Sequence, residues 1–282
     1  MPLLDQISGL FNGGGAATAA SASPALSRVQ VEERLRRDGR SLAAANLGGA
    51  DLTGLDLSGA DLSGAELGRA KLAGVNLSGA NLTGACLQET DFTGANLAGA
   101  VLRDANGTRT GSMHPPVLQG ANLTDADATG ANLTRANLRS ATLTGARLCE
   151  AGLHKADLTG ARLERANLDG ANLRHATADG ADFTDAELET VDLSNAHAVG
   201  ARFGRARMSR ANLSGANLER ADLSGADLTE ASMEATRLNS ASLRGATLNG
   251  ADLGDADLTG ADLDGCDLAT CHNLRMAPAG AL

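Results

Sequence analysis

The sequence has few of the residues on which most globular folds depend. Trp and Tyr are absent and Phe occurs four times among 282 residues, which excludes a core built on large aromatic side chains. No apolar run approaches the ~18 residues of a membrane-spanning helix, and residues 1–11 lack the basic segment of a secretory signal. Lys and Arg number 24 against 34 Asp and Glu, a balance that argues against a general nucleic-acid binder.

A five-residue repeat occupies most of the chain. Leu recurs every fifth residue from Leu47 to Leu102, with Phe92 in one of these positions, and the period resumes one residue out of phase at Leu118 and continues to Leu268. The unit reads A-(D/N)-L-(S/T)-G. Five residues match neither a helix, where the leucines would spiral round every face, nor a flat strand, where they would alternate between faces. The chain is therefore predicted to bend once per repeat, with Ala and Leu inward and Gly at the corners.

Charged residues predict how many repeats form one coil. Two columns of residues 20 apart alternate in sign: Arg162, Asp182, Arg202 and Asp222, then Arg165, Asp185 and Arg205. The same spacing pairs oppositely charged residues elsewhere: Arg207 with Asp227, Arg210 with Glu230, and Arg237 with Asp257. Four repeats per coil would place each base beside an acid on the next coil. We therefore expect a β-solenoid with a 20-residue coil.

The run AANLGGADLTGLDLSGADLSGAELGRAKL resembles the pentapeptide-repeat family, and the resemblance covers about residues 41–270. It implies an all-β fold, a right-handed quadrilateral β-helix of about eleven coils with four pentapeptides in each.

Two segments precede the repeat. Residues 1–27 are predicted to be a flexible tail. Within it, residues 3–11 have the apolar spacing of a helix, so that this segment is either a docking helix or part of a disordered tail; its apolar residues are Leu3, Leu4, Ile7, Leu10 and Phe11. Residues 28–40 are predicted to form an N-terminal capping helix, because Ser27 and Gln30 have the spacing of a capping box and Gly39 is a natural stop.

The repeat is interrupted once and fades at its end. Residues 106–117 are predicted to be a loop insertion, either tolerated or in contact with a partner through Arg109 and His114. Residues 271–282 are predicted to be a C-terminal tail. Residues 249–282 hold six aspartates, including Asp252 and Asp262, against one arginine. An uncovered strand edge at this end would allow end-to-end stacking of a homodimer.

The residues indicate no enzyme, cofactor or metal site. Four cysteines lack the spacing of a zinc site or a disulfide framework, which favours a reducing compartment, the cytoplasm. The Asp and Asn residues of the repeat are expected to stabilise turns rather than to bind metal. One basic patch is expected on the acidic rod, formed by Arg135, Lys155 and Arg174 with His154 and His175 beside them. It is either a solvated surface or an anchor for an acidic partner.

We therefore predict a non-enzymatic rod that acts as a scaffold or protein-binding module, without a membrane span and without direct nucleic-acid binding. The family resemblance implies two alternatives. Fluoroquinolone-resistance members have acidic β-helices that resemble B-form DNA and bind DNA gyrase. Similar runs also occur in components and effectors of bacterial secretion systems, for which residues 1–11 would be the docking or export element.

Overall fold

The computed structural model describes residues 23–108 and 114–274. One helix, α1 (Arg28–Arg37), precedes a long series of short extended pieces, each a single bridge residue followed by a turn. The Ser27 hydroxyl accepts from Gln30 N and the Gln30 side chain accepts from Ser27 N, which completes the capping box. Val31 is fully buried and belongs to the same apolar cluster as the first core leucines.

The extended pieces pair in a parallel β-solenoid. Isolated bridges join residues 20 apart along the ladder, such as Asp182 with Arg202 and Arg202 with Asp222. Asp182 N donates to Ala161 O on the preceding coil at 2.9 Å and Phe183 N donates to Arg202 O on the following coil at 2.7 Å, so that this coil hydrogen-bonds to both neighbours. Five-residue repeats and this spacing place four turns in each coil. The predicted 20-residue register is confirmed.

The core is a continuous column of Ala and Leu with almost no exposed surface. One pair of larger core residues has smaller residues beside it. Phe183 and Phe203 stack with ring centroids 4.8 Å apart, and Ala178 and Ala198 occupy the preceding central positions. Thr90 replaces an inward Ala, and its buried hydroxyl donates to Leu67 O at 2.8 Å, so that the polar group has a partner.

Polar residues between Ala and Leu hold the turns. In a representative repeat, Asp182 Oδ1 accepts from Thr184 N at 3.0 Å and from the Thr184 hydroxyl, an Asx turn that fixes the bend. Asparagines on consecutive coils also bond to one another: Asn96 Nδ2 donates to Asn76 Oδ1, and Asn122 Nδ2 to Asn96 Oδ1, each at 3.1 Å. The expectation that these residues support turns is confirmed, and their oxygens are already occupied.

The two ends of the solenoid differ. Near α1, Leu42 and Leu47 are fully buried. At the other end, Leu258, Leu263 and Leu268 are only partly buried against the core, and the last bridges lie at Asp252–His272 and Gly254–Leu274. Within residues 23–108 and 114–274, no helix is long and apolar enough to cross a membrane.

Candidate functional site: one edge of the solenoid

One edge of the solenoid departs from the regular pattern. We call edge A the turns that follow the ladder through Asn132, Gly152 and Asn172. Its members are Gly48–Gly49, Gly68–Arg69, Gln88–Glu89, Thr134–Arg135, His154–Lys155, Arg174–His175, Ser194–Asn195, Ser214–Gly215, Glu234–Ala235 and Gly254–Asp255. Edge B comprises the turns of the next ladder, through Asn137, Asp157 and Thr177, and includes Thr159–Gly160, Val199–Gly200 and Asn239–Ser240.

The second residue of each turn adopts a left-handed backbone, which favours Gly. On edge B only three described turns place another residue there: Ser140, Arg220 and Ser240. On edge A eight do so: Arg69, Glu89, Arg135, Lys155, His175, Asn195, Ala235 and Asp255. The φ angles of Arg135, Lys155 and His175 are 63°, 57° and 56°. Edge A therefore presents side chains at a backbone position where Gly would be less strained.

The basic patch lies on this edge, across three consecutive coils. We call Arg135, His154, Lys155, Arg174 and His175 the basic cluster. Arg135 N donates to His154 O at 2.8 Å, and Lys155 N donates to Arg174 O at 2.9 Å, so that the three turns stack directly. The rings of His154 and His175 meet edge to face with centroids 5.6 Å apart. The structure thus brings together the predicted residues Arg135, Lys155 and Arg174.

Electrostatics within the basic cluster are repulsive. Partial burial lowers the pKa of His154, and the charges of Lys155, His175 and Arg174 lower it further, although a hydrogen bond to the Arg174 backbone raises it. Arg174 Nε lies 3.7 Å from Asp192 Oδ2 on the following coil. Base is stacked on base in these three layers, unlike the alternating columns near residue 202.

The insertion emerges from the same edge. Bridged residues are 20 apart before and after the insertion, but 26 apart in the four bridges from Asp91–Val117 to Asn106–Asn132. Six extra residues therefore lie between Asn106 and Val117, and both of these residues form bridges themselves. Thr108 Oγ1 accepts from Asn132 Nδ2 at 2.8 Å. On the returning side, His114 Nδ1 lies 3.6 Å from Glu89 Oε1.

Gly107 occupies a central inward position where most repeats place Leu. Pro116 is buried beside it. A β-carbon at Gly107 would lie 2.7 Å from Asn132 O and 2.9 Å from Pro116 Cδ, closer than side-chain carbons approach. The proline ring therefore fills the volume of the missing leucine, and the coil closes tightly around the base of the insertion.

The family model for pentapeptide repeats matches this chain with 8 copies. The matched residues are 41–79, 76–106, 117–154, 156–195, 186–225, 206–245 and 236–272. The chain belongs to the pentapeptide-repeat family.

The solved structure of one pentapeptide-repeat protein shares the fold, and a second was compared with this chain. The crystal structure of HetL, involved in heterocyst differentiation regulation in the cyanobacterium Nostoc sp. strain PCC 7120, is 30% identical, covers 88% of this chain and 98% of its own, and has a TM-score of 0.57. A trypsin-treated variant of QnrB1, a plasmid-mediated fluoroquinolone resistance protein, is 22% identical, covers 72% of this chain and 90% of its own, and has a TM-score of 0.48. None of the curated protein sequences compared with the chain matches it.

Two predicted acidic residues lie apart in this pentapeptide-repeat solenoid. Asp252 is on the face that leads into edge A, where both carboxylate oxygens accept from Asn273 Nδ2 at 2.9 and 3.0 Å. That hydrogen bond and one from Gly254 N lower the pKa of Asp252. Asp262 lies on another face, where Arg244 bridges it to Asp264. The structure does not bring these aspartates near the basic cluster.

Several other predicted site residues fall outside the described ranges: Leu3, Leu4, Ile7, Leu10, Phe11 and Arg109. Burial raises the pKa of the thiols of Cys149, Cys266 and Cys271, which opposes the thiolate form needed for nucleophilic or metal-binding chemistry. Among the described residues no group of His, Cys, Asp and Glu could hold a metal ion.

The assembly of edge A was not recognised from the sequence. The six-residue insertion shifts the numbering, so that Glu89 and Arg135 share an edge although they are separated by neither 20 nor 40 residues. The sequence does contain a sign of this arrangement. When the repeats on both sides of the insertion are aligned, Asn106 lies opposite Asn132, and the insertion falls on the coil next to the Thr134–Arg135 turn.

Proposed function

We propose that the protein is a non-enzymatic scaffold that binds a partner protein along edge A of its solenoid. We further propose that this scaffold is a right-handed quadrilateral β-helix of about eleven coils. The observation that carries the proposal is the basic cluster, three coils of stacked positive side chains on a chain of net charge −10.

The regularity of the rest of the molecule supports this assignment. Inward positions are filled with Ala and Leu, and the Asp and Asn side chains of the turns accept backbone hydrogen bonds, as Asp182 does from Thr184 N. Edge A adds to this framework the basic cluster and the base of the insertion, and exposed segments on rigid scaffolds are commonly used for recognition. The role of HetL in regulation is one that a binding scaffold can fill.

Site-specific photo-cross-linking tests the proposal. A photo-reactive amino acid would replace Asn195 on edge A in one full-length protein and Ser240 on edge B in another. Both positions are exposed and left-handed, with φ of 56° and 58°, so the substitutions are structurally matched.

After irradiation in cells, we expect a discrete adduct from position 195 and none from position 240. Equal labelling from both positions, or labelling from position 240 alone, would contradict the assignment of edge A.

A further inference from the structure

One column of the basic cluster differs in its charges from the columns near residue 202, although Arg174 of the same cluster has an acid one coil away, Asp192 at 3.7 Å. Arg202 Nη1 lies 3.3 Å from Asp182 Oδ2, and Arg205 makes two hydrogen bonds to the Asp185 carboxylate, at 2.7 and 2.8 Å. Those bases each face an acid one coil away. In the basic cluster, successive coils place Arg135, Lys155 and His175 in one column, where like charges repel.

We propose that the basic cluster docks a short acidic helix of a partner protein, and that this docking strengthens as the pH falls below neutral. The inference rests on the proposed function and names the chemistry of the partner. An arriving row of carboxylates would relieve the repulsion that the free surface carries.

The spacing of the cluster fits a helix. Adjacent coils of a β-solenoid are ~4.8 Å apart, and one helical turn rises about 5.4 Å. Acids at i, i+4 and i+8 on one helix face would therefore meet the three layers formed by Arg135, by His154 with Lys155, and by Arg174 with His175. Two to three carboxylates suffice to cover the cluster.

The length of the cluster favours a protein over a nucleic acid. Duplex DNA carries a charge every ~1.7 Å along its axis and is bound through long basic surfaces. Among the described turns of edge A, consecutive bases span three coils, and Arg69 lies apart from them and pairs with Glu89 at 3.1 Å. Glu89 lies on one side of them, and Glu234 and Asp255 lie on the other. These acids would repel a phosphate backbone that extended beyond the cluster, whereas a helix of two or three turns ends before it reaches them.

The imidazole of His154, whose ring meets that of His175 edge to face, makes the docking sensitive to pH. The charged groups that act on the His154 ring are Lys155 in its own turn and Arg174 and His175 on the following coil. Arg135 lies in the preceding turn, and Asp192 is the acid paired with Arg174. The charges of Lys155, His175 and Arg174 oppose protonation of His154 in the free protein. A bound carboxylate favours the protonated ring, so that binding takes up protons and the affinity rises as the pH falls through the imidazole range.

A model helix tests the chemistry with the full-length protein. The probe is an Ala-rich peptide of about 16 residues, long enough to be partly helical, with Glu at every fourth position and a fluorescent label. The control peptide has Gln in place of Glu. At low ionic strength we expect the Glu peptide to bind and the Gln peptide not to bind, as measured by fluorescence anisotropy.

Matched variants of the protein locate the binding. The double variant Lys155→Ala with Arg174→Ala should bind the Glu peptide with about tenfold lower affinity, because several exposed ion pairs with the peptide are lost. Arg202→Ala with Arg205→Ala removes the same number of exposed bases from the alternating columns and should leave the affinity unchanged. An equal loss in both double variants would overturn the proposal.

The pH arm and a nucleic-acid arm complete the test. Between pH 7.5 and 5.5 the affinity should rise about threefold to tenfold, and in the His154→Gln variant the ratio of the affinities at these two pH values should fall towards one. A pH-independent affinity of the unaltered protein would contradict the role of His154. Tighter binding of a single-stranded oligonucleotide than of the Glu peptide would replace the acidic helix with a nucleic acid.

The failure of this proposal is separable from that of the proposed function. If position 195 cross-links a partner but the Glu peptide does not bind, edge A is a contact surface for a different chemistry. If position 195 gives no adduct and the peptide does not bind, both proposals are wrong.

Discussion

The alternating columns around residues 182–227 and the basic cluster are built on the same backbone and distribute charge in opposite ways. Arg205 and Lys155 both have a φ of 57° and both lie at exposed turns, yet Arg205 contacts Asp185 and Lys155 is stacked between Arg135 and His175. The repeat itself therefore does not dictate surface charge. Where the columns alternate, ion pairs join adjacent coils; in the column of Arg135, Lys155 and His175, like charges repel.

The largest effect should come from the core that both regions share. Leu213→Asp would bury an unpaired charge and should prevent folding, and Leu213→Ala should cost ~2–5 kcal/mol. Ser214→Ala, at the adjacent turn, should cost less than about 1 kcal/mol. Thermal denaturation followed by far-UV circular dichroism measures all three. Equal shifts for the two alanine variants would refute the inward assignment of Leu213.

The base of the insertion should be the next most sensitive position. Gly107→Ala places a methyl group against Asn132 O and Pro116 and should cost about 1–3 kcal/mol. Gly204→Ala is the control, because its new β-carbon meets nothing closer than 3.9 Å. Urea denaturation of both variants gives the comparison. A Gly107→Ala variant as stable as the control would show that Pro116 does not fill this position.

Glycine substitution separates the two regions directly. Lys155→Gly relieves a left-handed side chain and removes a repelling charge, and should stabilise the fold by about 0.5–1 kcal/mol while weakening the Glu peptide. Arg205→Gly relieves the same backbone strain but loses the contact with Asp185, so its gain should be smaller. A larger gain for Arg205→Gly, measured by urea denaturation, would reverse the comparison.

The pH dependence of variant stability should distinguish the alternating columns from the basic cluster. The Arg205 hydrogen bond and charge lower the pKa of Asp185. A carboxyl with a lowered folded pKa stabilises the protein above its unfolded value of about 3.9, and that contribution disappears as the pH falls. Arg205→Ala should therefore destabilise the protein slightly at pH 7 and not at pH 2. Lys155→Ala should show no such loss between those pH values, which denaturation midpoints at each pH would reveal.

The DNA-mimic alternative predicts an effect where we expect none. Net charge is +1 over residues 1–40, −6 over residues 41–248 and −5 over residues 249–282, and the basic cluster interrupts the middle of the rod. Such a profile is a poor copy of a uniformly charged duplex. Purified protein at micromolar concentration should leave DNA supercoiling by gyrase unchanged. Inhibition that is lost when Asp252, Asp262 and their acidic neighbours are neutralised would favour the DNA-mimic function.

The fold was largely predictable because its rules are local and repeated. Alternating charges at Arg162, Asp182 and Arg202 revealed the 20-residue register, and the Ser27–Gln30 spacing matched the capping box. The partners of individual side chains were less predictable. Arg207 bridges to Asp227 through the backbone, but its guanidinium pairs with Glu187 and Glu189 on the preceding coil. Long side chains reach either neighbour, and spacing alone does not determine which one they choose.

The candidate site was predictable only in part. Arg135, Lys155 and Arg174 were recognised as one patch because they lie within an uninterrupted block of repeats. Their shared edge with the insertion and Glu89 depends on how Gly107 and Pro116 close one coil. That closure is a question of volume, which a five-residue pattern does not encode.

We expect the basic cluster, rather than exposed charge in general, to make the contact between edge A and the partner protein. The direct measurement is the yield of the adduct from a photo-reactive residue at position 195, in two charge-reversed backgrounds. Lys155→Glu with Arg174→Glu should abolish the adduct, and Arg202→Glu with Arg205→Glu should leave it unchanged. An adduct that survives the first pair of reversals, or that disappears equally with the second, would contradict the account.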